Sequence, residues 1–128
     1  MKITRFEEIL AWQKARELTR LVYGAAGKGG FAPDLPLRGQ ITAASGSIMH
    51  NIAEGFDSGS RAEFRRFLRY AQRSSSEVKS QLYIALDQSY IRQPEFEAFY
   101  ALADEIHRII GGFIKSLLKT PKAPATAH

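Results

Sequence analysis

The sequence predicts an all-α protein, an antiparallel up-down four-helix bundle. Three observations predict it. Apolar residues recur at alternating three- and four-residue steps through four stretches of about 20 to 27 residues, the signature of helices with one buried face. No run alternates in a period of two, so no strand is indicated. The connections are mostly short and rich in glycine, proline and serine, which places consecutive helices side by side. A length of 128 residues, 45% of them hydrophobic, suits one domain with a real core.

The first helix is expected to open at Thr4, where Thr4-x-x-Glu7 has the spacing of a capping box. Ala11, Ala15, Leu18 and Val22 then keep to one stripe. The stretch "GAAGKGGFAPDLP" ends the helix, because glycine costs about 1 kcal/mol and proline about 3 kcal/mol in a helix interior. Asp34 caps the second helix, whose core face is Leu37, Ile41, Ala44, Ile48 and Ile52. Its small middle, "AASGS", invites close approach by a neighbour, and its end is placed at Gly55.

The corner "EGFDSGS" leads into the third helix, opened by Ser60-x-x-Glu63 as a second capping box. Phe64, Phe67, Leu68, Ala71, Val78, Leu82 and Leu86 form its stripe, which ends near Ser89 and Tyr90. Asn51 and Glu54 are assigned to the same structural corner, Asn51 bridging helices and Glu54 accepting from backbone amides or an arginine. Pro94 suits the first turn of the fourth helix, and Phe96, Phe99, Ala103, Ile106, Ile110, Phe113 and Leu117 follow a strict 3-4 seam. The bundle is thus assigned to residues 1–119 and a disordered tail to residues 120–128, "TPKAPATAH" being rich in proline and alanine.

Three chunks of this sequence together resemble a known family: "FEEILAWQKARELTRLVY", "LRGQITAASGSIMHNIAEG" and "SRAEFRRFLRYAQRSSSEVKSQL", with a looser match in "ALADEIHRIIGGFIKSL". The chain resembles the proteins encoded by intervening sequences of 23S ribosomal RNA genes, a family that includes the accessory variability proteins of diversity-generating retroelements. That resemblance implies an antiparallel four-helix bundle assembled as a ring of five subunits and without enzymatic activity. It also implies a nucleic-acid-binding role beside a reverse transcriptase for the retroelement members. The family often has arginines where this chain has Thr42 and Ala43.

Charge gives an independent lead. The net charge is +5. Residues 61–79 hold six bases (Arg61, Arg65, Arg66, Arg69, Arg73 and Lys79) against two acids, Glu63 and Glu77. Stepping mostly by four, the arginines make a sloping band along the third helix, suited to RNA or DNA backbone phosphates. The plainer expectation is a solvated face with Arg66 paired to Glu63 and Arg73 to Glu77. Self-association has its own traces: Phe6, Leu10 and Leu21 on the first helix, and Tyr70 and Ile84 on the third, lie off the core stripes. The alternative to nucleic-acid binding is an assembly or adaptor protein that binds only protein.

Catalysis and cofactors are not expected. With no cysteine, thiol chemistry and cysteine metal sites are excluded. "GAAGKGG" lacks the spacing of a phosphate-binding loop and follows a helix rather than a strand. Asp104, Glu105 and His107 cluster on the fourth helix, yet a di-iron bundle needs a second Glu-x-x-His pair and further glutamates. His50 and His107 read as surface or hydrogen-bonded polar residues, and no base is implied beside Ser45, Ser47 or Ser74 to Ser76. The acids in "MKITRFEEIL" argue against a signal peptide, so a cytoplasmic location is expected.

Overall fold

The computed structural model describes residues 2–119. The tail assigned to residues 120–128 lies outside them. A 3-10 turn at Phe6–Glu8 precedes four helices: α1 (Leu10–Ala26), α2 (Leu35–Asp57), α3 (Arg61–Asp87) and α4 (Gln93–Leu118). Each packs on its neighbours in sequence, α1 closes the square against α4, and no helix touches the one diagonally opposite. The architecture is the antiparallel up-down bundle expected. Arg61 at the start of α3 reaches the carbonyl of Leu117 at the end of α4, as that topology requires.

The core follows the stripes. Ala11, Ala15, Leu18 and Val22 of α1 are buried, as are Leu37, Ile41, Ala44, Ile48 and Ile52 of α2. On α4 the seam holds from Phe96 to Ile110 and then drifts, so that Ile114 is buried while Phe113 and Leu117 are half-exposed. A straight helix with 3.6 residues per turn cannot keep a strict 3.5 repeat, and the slip appears in the last two turns. Core residues also lie outside the helices: Ile9, Phe31 and Ile91 close the bundle ends from its connections.

Local starts and stops differ in detail. Thr4 forms no capping box with Glu7; its amide and hydroxyl bond to the Glu8 carboxylate instead, and α1 begins only at Leu10. Ile9 turns to extended backbone between the 3-10 turn and α1, and in doing so buries its own side chain. Asp34 does cap α2, its Oδ1 accepting from the Leu37 amide at 3.2 Å. α2 runs two residues beyond Gly55, to Asp57, and the left-handed residue of the corner is Gly59, with φ at 82°. Ser60 caps α3 by accepting from the Glu63 amide at 3.0 Å. The reciprocal half of that box is missing because the Glu63 carboxylate takes the Arg66 guanidinium instead.

Candidate nucleic-acid interface

The antiparallel packing of α3 on α2 and α4 sorts its basic residues by azimuth. Those facing α4 are drawn into the bundle. Arg61 Nη2 donates to the carbonyls of Leu117 at 3.1 Å and Lys119 at 2.8 Å, and Arg65 Nη1 donates to Leu117 at 3.2 Å. Both cations sit at the negative end of the α4 dipole and satisfy carbonyls that the helix leaves orphaned. Lys79 Nζ lies 2.9 Å from Asp104 Oδ1 and also approaches the ring of Tyr100. Hydrogen bonds from Lys79 first, then from Arg108, hold the Asp104 carboxyl below its ordinary pKa.

The remaining three stay on the outer face. Arg66 forks onto Glu63 at 2.6 Å and donates to the Tyr70 hydroxyl at 2.8 Å. Its guanidinium also lies over the rings of Phe67 and Tyr70, at 4.9 Å and 5.4 Å. Arg73 approaches the same Tyr70 ring, 5.6 Å from its centroid. The result is a ladder in which Tyr70 is flanked by two cations, with Arg69 exposed beside it. The expected Arg66–Glu63 pair therefore forms, and lowers the Glu63 pKa chiefly through its hydrogen bond. No Arg73–Glu77 pair forms. Among the described residues neither Arg69 nor Arg73 has a carboxylate within ion-pair distance, so both offer full charges to solvent.

The assembly residues separate in the same way. Phe6 packs edge-on against Trp12, and Phe6 and Leu21 both lean on the core. Tyr70 belongs to the arginine ladder. Leu10 and Ile84 are the free ones, 51% and 46% exposed. Leu35, the first residue of α2, is 67% exposed as well; an apolar residue in the first helical turn carries no periodic sign of its exposure.

At the corner, Asn51 stays within α2, donating to the Ser47 carbonyl at 2.8 Å and to the Ser47 hydroxyl at 3.0 Å. Ser47 in turn accepts from Ser74 on α3, so the link between helices runs through the serines. Glu54 is exposed and takes no backbone amide or arginine among the described residues.

One contact that spacing did not suggest joins Ser75 to His107. The Ser75 hydroxyl donates to the Gln72 carbonyl at 2.7 Å and lies 3.1 Å from His107 Nδ1. A serine beside an imidazole resembles a nucleophile and its base, but Ser75 is fully buried and its proton already has an acceptor. The pair ties α3 to α4. Asp104 and Glu105 are likewise spent on Lys79, Arg108 and Lys14, and no group of His, Asp and Glu suited to a metal occurs among the described residues. Among the described residues no helix is long and apolar enough to cross a membrane.

The same bundle is found in solved structures. One similar structure is the crystal structure of a protein of unknown function from the S23 ribosomal protein family of Bacteroides thetaiotaomicron. It is 25% identical, with a TM-score of 0.75 over 83% of this chain and 99% of that one. No curated protein matches significantly. The family model described as 23S rRNA-intervening sequence protein matches residues 7–112, nearly the whole bundle from the 3-10 turn into the last turns of α4. By that match and that fold, the chain belongs to the 23S rRNA-intervening sequence protein family.

Proposed function

We propose that this chain is a non-enzymatic, self-associating bundle that binds the backbone of RNA or DNA through the outer face of α3. The observation that carries the reading is the pair of unpaired cations, Arg69 and Arg73, beside the Arg66–Tyr70 stack. Phosphates reward such an arrangement. Each neutralised phosphate releases a counterion, so the affinity carries no reading of sequence. Arg61, Arg65 and Lys79 hold the bundle together in this reading, so the binding band is narrower than the run of basic residues in sequence.

The same face favours self-association at its other end. Arg66 and Ile84 are 18 residues apart, five full turns, so they share an azimuth about 27 Å apart along α3. Cations occupy one end of that face and an exposed isoleucine the other. A ring of subunits would repeat the basic half around its axis and make a weak single contact multivalent. A reverse transcriptase or another protein partner would then meet a composite surface rather than one subunit.

Binding to unrelated RNA and DNA duplexes, followed across a salt series, tests the reading. Affinity should fall linearly with salt on logarithmic axes. The double variant Arg69→Ala, Arg73→Ala should flatten the slope by about two, since each phosphate contact contributes about 0.9. Absence of binding at low salt would overturn the nucleic-acid reading and leave an adaptor that contacts only protein.

A further inference from the structure

We propose that the end of the bundle near the α2–α3 corner binds an amphipathic carboxylate, a fatty-acid anion in chemical class. Its chain would lie against Phe56, Phe64 and Phe113 and its head group would meet Lys2, Arg61 and Lys119. These residues line an open cavity of about 610 Å3, a size typical of small-ligand sites. The three rings form one wall, Phe64 standing edge-on to Phe56 at 6.0 Å and to Phe113 at 5.1 Å. All three are only partly buried, and Ile3 and Leu117, also partly buried, line the same cavity. This is apolar surface left in water, which the methylene chain of a ligand would cover while leaving water itself.

Charge selects the head group. No acidic side chain lines the cavity, whereas three cations do. Arg61 is already held in place: both Nη2 bonds go to the Leu117 and Lys119 carbonyls. Its Nε and Nη1 hydrogens find no acceptor among the described residues, which leaves a fixed cation with donors to spare. Arg61 also opens α3, so the positive end of that helix borders the same space. A neutral hydrocarbon would leave these donors unused, and a cationic amphiphile would set like charges together. An anion with an apolar chain satisfies both halves.

Calorimetric titration of the full chain with dodecanoate below its micelle concentration, against dodecylamine and dodecanol, reads the proposal. Dodecanoate should bind saturably and about tenfold tighter than dodecylamine. The exposed pair Lys2→Gln, Lys119→Gln should weaken dodecanoate severalfold and leave dodecanol unchanged. That double variant leaves the Arg61 contacts in place, so it reads the head-group charge without disturbing the end of α4. In nuclear magnetic resonance spectra the ligand chain should show contacts to the ring protons of Phe64 and Phe113. Equal affinity for the amine, contacts confined to another face, or no saturable binding would each overturn it, the last leaving the cavity to a protein partner.

Discussion

Gly55 shows how a single residue sets the α2–α3 contact. A Cβ placed there would lie 2.8 Å from the Phe67 Cβ and 2.9 Å from the Phe64 ring, both on α3. Its missing side chain lets the two helices touch at the corner. Gly39, earlier on the same helix, has nothing within 4 Å and only the entropic cost of glycine in a helix. Gly39→Ala should therefore stabilise by about 0.5 to 1 kcal/mol. Gly55→Ala should destabilise by about 1 to 2 kcal/mol, because overpacking outweighs the same propensity gain. Urea midpoints of the two variants decide it, and a Gly55→Ala midpoint at or above the parent's would remove close approach as the reason for this glycine. The sequence placed Gly55 at the end of α2, since glycine after an apolar run reads as a stop. Packing against α3 is a tertiary fact that the local signal cannot carry. The Ser60 cap was legible because hydroxyl and amide lie three residues apart. The fate of Glu63 was not, since backbone amide and Arg66 compete for it within the same turn.

At the scale of elements, the connections do more than the apolar pattern announced. Asp34 is both cap and clasp: Oδ1 accepts from the Leu37 amide while Oδ2 accepts from the Tyr90 hydroxyl at 2.8 Å. Tyr90 also stacks on buried Phe31, 5.1 Å between centroids, so the α1–α2 and α3–α4 connections are locked together. Periodicity finds residues within helices, and Phe31 lies between them. The Asp34 hydrogen bond, then burial, then the Asp34 charge raise the Tyr90 pKa above its ordinary value. A raised folded-state pKa means the folded chain keeps the proton when the unfolded chain has released it. The clasp contributes fully below the ordinary tyrosine range and is lost as pH climbs through the folded value. Thermal melts from about pH 8 to about pH 11 should thus fall more steeply for the parent than for Tyr90→Phe, which keeps the stack but has no phenol to titrate. Equal slopes would show that the hydroxyl holds no such bond.

At the scale of the whole molecule, the bundle was legible because four stripes, two capping serine or aspartate residues, two glycine- or proline-bearing connections and a proline in the first turn of α4 all favour one topology. The functional surface was less so: a helical projection orders the arginines by azimuth, but only the positions of α2 and α4 decide which are drawn inward. The same placement constrains assembly in the proposed ring. Leu10 begins α1 and Ile84 ends α3, and these helices are parallel and diagonal in the square. The two exposed residues therefore occupy opposite corners and opposite ends, and one patch cannot contain both. A contact pairing the Leu10 corner of one copy with the Ile84 corner of the next is head-to-tail, which gives a ring where its rotation closes and does not stop at a two-fold dimer. Leu10→Arg and Ile84→Arg should each reduce the assembly to single chains of 14.3 kDa by light scattering. Mixed together, the two variants retain one intact contact, an unaltered Ile84 corner facing an unaltered Leu10 corner, and should stop at mixed pairs. A mixture that stays monomeric would rule out a contact between these two corners, and a parent chain that is itself monomeric at micromolar concentration would rule out the ring.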